Sequence, residues 1–127
     1  HLEQVEILGH AVDHLLVAPR AFGMTPYEYI CSKPCVIRSP DGYAMWINTF
    51  GTAYRVHRLT SSDGLRWEWS CRIGPDGELG TGPEGSFDDR QRSYPTVVSR
   101  DGTLHCWFTG NDFGATGMGY AVAEHPG

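Results

Sequence analysis

A pattern of residues occurs twice in this chain of 127 residues. One copy reads Lys33-Pro34-Cys35-Val36, then Asp41-Gly42, then Met45-Trp46. The other reads Tyr94-Pro95-Thr96-Val97, then Asp101-Gly102, then Cys106-Trp107. The offset is 61 at the prolines, 60 at the Asp-Gly pairs and 61 at the tryptophans. A period near 60 points to stacked supersecondary units rather than one continuous fold.

Within each copy the signals are those of antiparallel strands. Cys35 to Arg38 is a short apolar run, with Pro34 at its start, where a missing donor is tolerated. Asp41-Gly42 is a hairpin turn signal, and Tyr43 to Asn48 is its return strand. Tyr54 to Thr60 alternates as a third strand, and Ser62-Asp63-Gly64 turns again. Arg66 to Arg72 reads as a fourth strand, with Trp67 and Trp69 on one face. The second copy gives Thr96 to Ser99, Leu104 to Thr109 and Gly117 to Ala123, and no fourth strand. The division is therefore 1–29 as an N-terminal segment, 30–73 and 87–127 as two sheet units, and 74–86 as a Gly/Pro-rich loop between them. Val5 to Val17 reads either as a strand pair or as a short helix, and His10 and His14 as incidental surface residues.

Composition agrees. The chain holds 16 Gly and 8 Pro together with 4 Trp, 6 Tyr and 5 Phe, the mixture of many short strands and tight turns. A net charge of −5 without a Lys/Arg cluster argues against a nucleic-acid partner. No apolar run approaches the ~20 residues of a membrane span. Cys31, Cys35, Cys71 and Cys106 match neither a disulfide framework nor a zinc pattern; they read as small buried hydrophobes in a reducing cytoplasm, with two disulfides in a secreted protein as the alternative. There is no phosphate loop and no Gly-x-Ser-x-Gly nucleophile turn, and no cofactor or metal is expected. His1 is not a translation start, which suggests a processed terminus or part of a longer chain.

Several of these motifs carry a resemblance. Pro34-x-Val36, Asp41-Gly42-Tyr43-x-Met45-Trp46, Tyr54-Arg55-Val56 and Ser62-Asp63-Gly64-x-x-Trp67 resemble one blade of a five-bladed β-propeller. Phe87-Asp88, Tyr94-Pro95-x-Val97, Asp101-Gly102 and the run Thr109-Gly110-Asn111-Asp112-Phe113-Gly114-x-Thr116-Gly117-x-Gly119-Tyr120-Ala121 resemble closing blades. The superfamily is that of the glycosidase-like propellers, which holds glycoside hydrolase families 43 and 32. The resemblance implies an all-β chain of about two four-stranded antiparallel blades. Five blades of this period need about 300 residues. The propeller would thus be incomplete, or completed by a homo-oligomer or by the remainder of a larger chain. Those relatives usually carry Glu two residues after the Asp matching Asp88, where this chain has Arg90.

Blade geometry brings the starts of strands one and three and the end of strand two to one rim. In the first unit this selects Lys33, Asn48, Arg55 and His57; in the second it selects Asp88, Arg92, Tyr94, Asn111 and Asp112. Such side chains suit sugar hydroxyls, and Trp46, Tyr94 and Phe113 suit sugar faces. Asp88 and Asp112 are the candidate catalytic carboxyls, with Asp89 and Glu84 behind them. Glycoside hydrolysis needs two carboxyls, ~5–5.5 Å apart for retention or ~6.5–9.5 Å for inversion. The expected substrate-binding residues are Lys33, Trp46, Arg55, His57, Arg92, Tyr94 and Asn111. The expected function is a carbohydrate-binding module with reduced or lost catalysis; the alternative is a glycoside hydrolase or related carbohydrate-active enzyme.

Overall fold

The Asp41-Gly42 and Asp101-Gly102 pairs each close a hairpin, and the two hairpins organise two sheets. The computed structural model describes residues 15–18, 28–51, 53–70 and 77–124. The first sheet runs β1 (Glu28–Ser39), β2 (Gly42–Gly51), β3 (Tyr54–Ser61) and β4 (Glu68–Trp69), each antiparallel to the next. The second runs β5 (Ser93–Arg100), β6 (Thr103–Thr109) and β7 (Met118–Glu124) in the same simple order. The described residues are all-β, with four strands in one sheet and three in the other. The expected features at 5–14, including His10 and His14, lie outside the described residues.

Two differences from the sequence reading have local causes. β1 begins at Glu28 rather than Cys35, because the ladder breaks between Ser32 and Cys35 and then resumes. Pro34 falls inside that break, where its missing N–H leaves no gap in the pairing. β4 (Glu68–Trp69) starts later than Arg66 because the Asp63 carboxylate takes the amides of Leu65 and Arg66, at 2.8 and 2.9 Å; the expected end of that strand, Cys71 and Arg72, lies outside the described residues. That holds the chain in a turn up to Arg66.

The sheets stack face to face, with β1 beside β5. Strand alternation sends Ala44, Trp46 and Val56 toward Val97, Leu104 and Cys106 of the second sheet. It sends Met45, Ile47 and Leu59 to the opposite face, against Val17, Cys31, Trp67 and Trp69. Residues 44–49 of β2 are therefore buried without interruption, as in a strand covered on both sides. At the seam, the Val97 N–H donates to Cys35 Sγ at 3.3 Å. Cys35 and Cys106 keep free thiols. Burial, then the proximity of Glu78 and Cys35, pushes the Cys106 thiol up to about 11, so it stays protonated.

A polar group crosses this core. Glu78 pairs with Arg58 at 3.5 Å, and Arg58 lies over the Trp46 ring, 6.0 Å from its centroid. Burial raises the Glu78 carboxyl, opposed by Arg58 and by a hydrogen bond with Trp46.

Leu59 is fully buried between β2, β4 and the residues over them. Leu59→Ala should cost about 2–5 kcal/mol, read as a lower urea midpoint with an unchanged slope. A loss under about 1 kcal/mol would mean that the Met45–Ile47–Leu59 cluster is not a packed core.

Candidate functional site

The two repeat prolines create matching irregularities. Lys33 precedes Pro34 with φ 56°, and Tyr94 precedes Pro95 with φ 53°. Few non-glycine residues adopt a left-handed backbone, and a following proline disfavours anything but extended geometry. Each such residue costs roughly 1–3 kcal/mol unless its surroundings hold it. Both sit where the ladder of a sheet's first strand slips: Ser32 to Cys35 in β1, Ser93 to Thr96 in β5. The bulges face each other across an open cleft of about 600 Å³, lined by Lys33, Pro34, Cys35, Tyr94, Pro95 and Thr96. Lys33 Nζ stands 5.9 Å from the centre of the Tyr94 ring.

Asn48 holds the second bulge in place. It is wholly buried, and its Oδ1 accepts the Tyr94 N–H at 3.2 Å. Its Nδ2 has no hydrogen-bond partner among the described residues.

Above Asn48 lies a cluster of rings. Phe50 ends β2, Tyr54 begins β3, and their rings are 4.5 Å apart. Tyr54 meets Tyr94 at 5.8 Å and Phe113 at 5.3 Å, both edge to face. Tyr94 and Phe113 stack at 6.5 Å. A hydrogen bond with Tyr94, then burial, raises the Tyr54 phenol above its usual value. Phe113 is 63% exposed, so the wall opens to solvent.

Phe113 reaches this place through the turn Asn111–Gly114. Asp112 and Phe113 are both left-handed, at φ 55° and 56°. The Phe113 N–H donates to Gln91 Oε1 at 3.4 Å, and the Thr116 hydroxyl donates to Phe87 O at 2.6 Å. Asn111 ties the turn to the loop before β5. Its Oδ1 accepts the Arg90 and Gln91 amides, each at 2.9 Å, and its Nδ2 donates to Asp89 at 2.7 Å. All the hydrogen-bonding directions of the Asn111 carbonyl are thus spent within the protein.

The carboxylates divide by burial. Asp88 is 3% exposed; its oxygens accept Arg92 Nε at 2.7 Å and the Ser86 hydroxyl at 2.8 Å. Arg92 also donates to Leu79 O at 2.7 Å and lies over the Phe108 ring. Burial alone would raise the Asp88 carboxyl, but Ser86 and Arg92 together hold it below the usual range. A Cβ at Gly82 would collide with the Asp88 carboxylate, so only glycine lets the loop pass. The Asn111 hydrogen bond, then the Gly85 amide, lowers Asp89. Asp112 is exposed and meets Arg90 Nη2 at 3.3 Å.

Of the expected site residues, Lys33 and Tyr94 line the cleft. Asp88, Arg92, Asn111 and Asp112 belong to the loop and turn at the same end of the second sheet. Arg55 and His57 share the Leu59 side of β3, away from that sheet; His57 is buried edge to face with Trp69 at 5.5 Å. Arg55 donates to Tyr54 O at 2.8 Å. Trp46 lies in the core, 4% exposed. Phe50 and Tyr54 were missed, although the end of strand two and the start of strand three were the right places to look. The expected second strand stopped at Asn48, three residues before Gly51. Among the described residues no group of three His, Cys, Asp or Glu side chains is placed to hold a metal ion.

No protein-family model matches the chain. Two uncharacterised proteins, from two strains of Mycobacterium tuberculosis, are 36% and 34% identical to it over 93 residues. Those residues are 73% of this chain and 30% of each relative, so the chain spans less than a third of their length. A third relative is the A type blood N-acetyl-alpha-D-galactosamine deacetylase of Flavonifractor plautii. It is 33% identical over 89 residues, 65% of this chain and 10% of that protein.

The lowered carboxyls give a signed pH prediction. Asp88 and Asp89 titrate below 3.8 when folded, so their stabilisation is complete above that pH and is lost as pH falls through the folded values. Urea midpoints should therefore decline below pH 3.8, and less steeply in Asp88→Asn. At neutral pH, Asp88→Asn should cost about 1.5–3 kcal/mol, because Arg92 loses a charged acceptor. Equal acid slopes in the two proteins would rule out this role for Asp88.

Proposed function

We propose that the two sheets are adjacent blades of a propeller-type array, and that the rim they share binds a carbohydrate. One observation carries the reading: four rings, Phe50, Tyr54, Tyr94 and Phe113, gather beside the cleft between the two bulges. The apolar face of a sugar ring stacks on such a surface, while its hydroxyls need donors and acceptors around the edge. Lys33 supplies donors at one side, and the Arg90–Asp112 pair supplies both kinds at the other. Because one relative is named for an N-acetyl-galactosamine substrate, an N-acetylated amino sugar is the ligand to try first.

The second reading is part of a carbohydrate-active enzyme, and the named deacetylase favours it. Against acid–base chemistry at Asp88 stands its environment. A general acid needs a carboxyl pushed up toward neutrality, whereas Asp88 is pushed down and fully engaged. Binding without turnover is accordingly the preferred reading.

Titration with N-acetylgalactosamine, followed by amide NMR, should shift signals of Lys33, Tyr94 and Phe113. Phe113→Ala should weaken binding about tenfold, a loss of ~1.4 kcal/mol. Neither acetate release nor cleavage of chromogenic glycosides should be seen. Turnover that disappears in Asp112→Asn would replace the binding reading with the enzymatic one. The absence of shifts with any sugar would remove both.

A further inference from the structure

The carboxylates around the rim are matched, and one cation is not. Asp88 is paired with Arg92 at 2.7 Å, and Asp112 with Arg90 at 3.3 Å. Asp89 is held by Asn111 Nδ2 and the Gly85 amide, at 2.7 and 2.9 Å, with Arg90 at 3.8 Å. Lys33 makes no ion pair among the described residues; its ammonium meets only the Tyr94 ring, 5.9 Å from the centroid. Among the described residues it is also the one charged side chain that lines the cleft. An exposed lysine is ordinary, but this one is fixed by a left-handed backbone ahead of a proline. A strained position kept at a cleft is a pointer to function.

A second donor near the cleft is also without an acceptor. Asn48 stands beside both bulges, since it pairs across the ladder with Ser32 and accepts the Tyr94 N–H. Its Nδ2 is buried and unpaired among the described residues. An orphaned buried donor and an ammonium without a counter-ion leave the site short of acceptors. The hydroxyls of a neutral sugar supply acceptors but no charge. A carboxylate or a sulfate ester on the sugar supplies both.

We propose that the sugar this cleft takes is an acidic one, and that Lys33 selects it by pairing with its anionic group. The proposal rests on the carbohydrate reading above and adds the charge of the ligand. The ring cluster takes the apolar face of the sugar, and Lys33 takes the anion at its edge.

Amide NMR titrations with galacturonate and with its methyl ester separate charge from shape. The wild-type chain should bind the acid about fivefold tighter than the ester, the gain of an exposed ion pair. Raising the salt concentration should shrink that difference. Lys33→Gln should bring the ratio to about one, and Lys33→Arg should keep the preference. Sulfated galactose against galactose, run in the same way, tells which anion is preferred. If neither anion is favoured by the wild type while the neutral sugars bind, the inference is overturned and the carbohydrate reading stands. A preference that persists in Lys33→Gln overturns the role of Lys33. Should that variant bind neither form, loss of the wild-type preference at high salt supports the pairing, and its persistence overturns it. Shifts from none of these sugars, nor from N-acetylgalactosamine, overturn the inference together with the carbohydrate reading.

Discussion

The first strand of each sheet breaks its hydrogen-bond ladder at a proline, and it does so at the same level in both. This constraint shapes everything at the rim. Lys33 and Tyr94 are forced into left-handed backbone and projected toward one cleft. The Tyr94 amide, released from its ladder, needs an acceptor within the core, and Asn48 supplies one. Asn48 is in turn confined by strand alternation, between Trp46 in the apolar seam and Phe50 in the ring cluster. A single face of β2 thus passes from packing, through one buried amide, to the exposed rings.

The loop before β5 and the turn after β6 complete the rim through side chains that serve backbone. Asn111 binds two amides and a carboxylate, and Asp88 neutralises Arg92 inside the loop. Polar groups that looked from their chemistry like ligand contacts are, in these two cases, braces. Phe113, Asp112 and Arg90 are among the groups that face solvent, held out by a backbone that the braces fix.

The repeat was legible because Asp-Gly turns and strand alternation are local. Both hairpins, and Trp67 and Trp69 against one face of the first sheet, follow from them. What was not legible depends on partners far along the chain. The extension of β1 past Pro34 needs β2 to continue to Gly51. The late start of β4 needs the Asp63 side chain to outbid a ladder at Arg66. The ring cluster joins residues 50, 54, 94 and 113, which no spacing rule connects. Arg55 and His57 were placed at the right end of β3 but on the wrong side of it for the cleft, since a one-residue step reverses the face.

The left-handed pair Asp112–Phe113 has a consequence for how such sequences diverge. Asn, Asp and Gly enter that conformation most readily, while β-branched residues are nearly excluded. Position 112 is therefore filtered by backbone shape before any ligand acts on it. An Asp found at the corresponding place in another chain reports first that the turn is kept. Phe113 is left-handed as well, so the ring that reaches the other aromatics is carried at a position filtered by the same backbone shape.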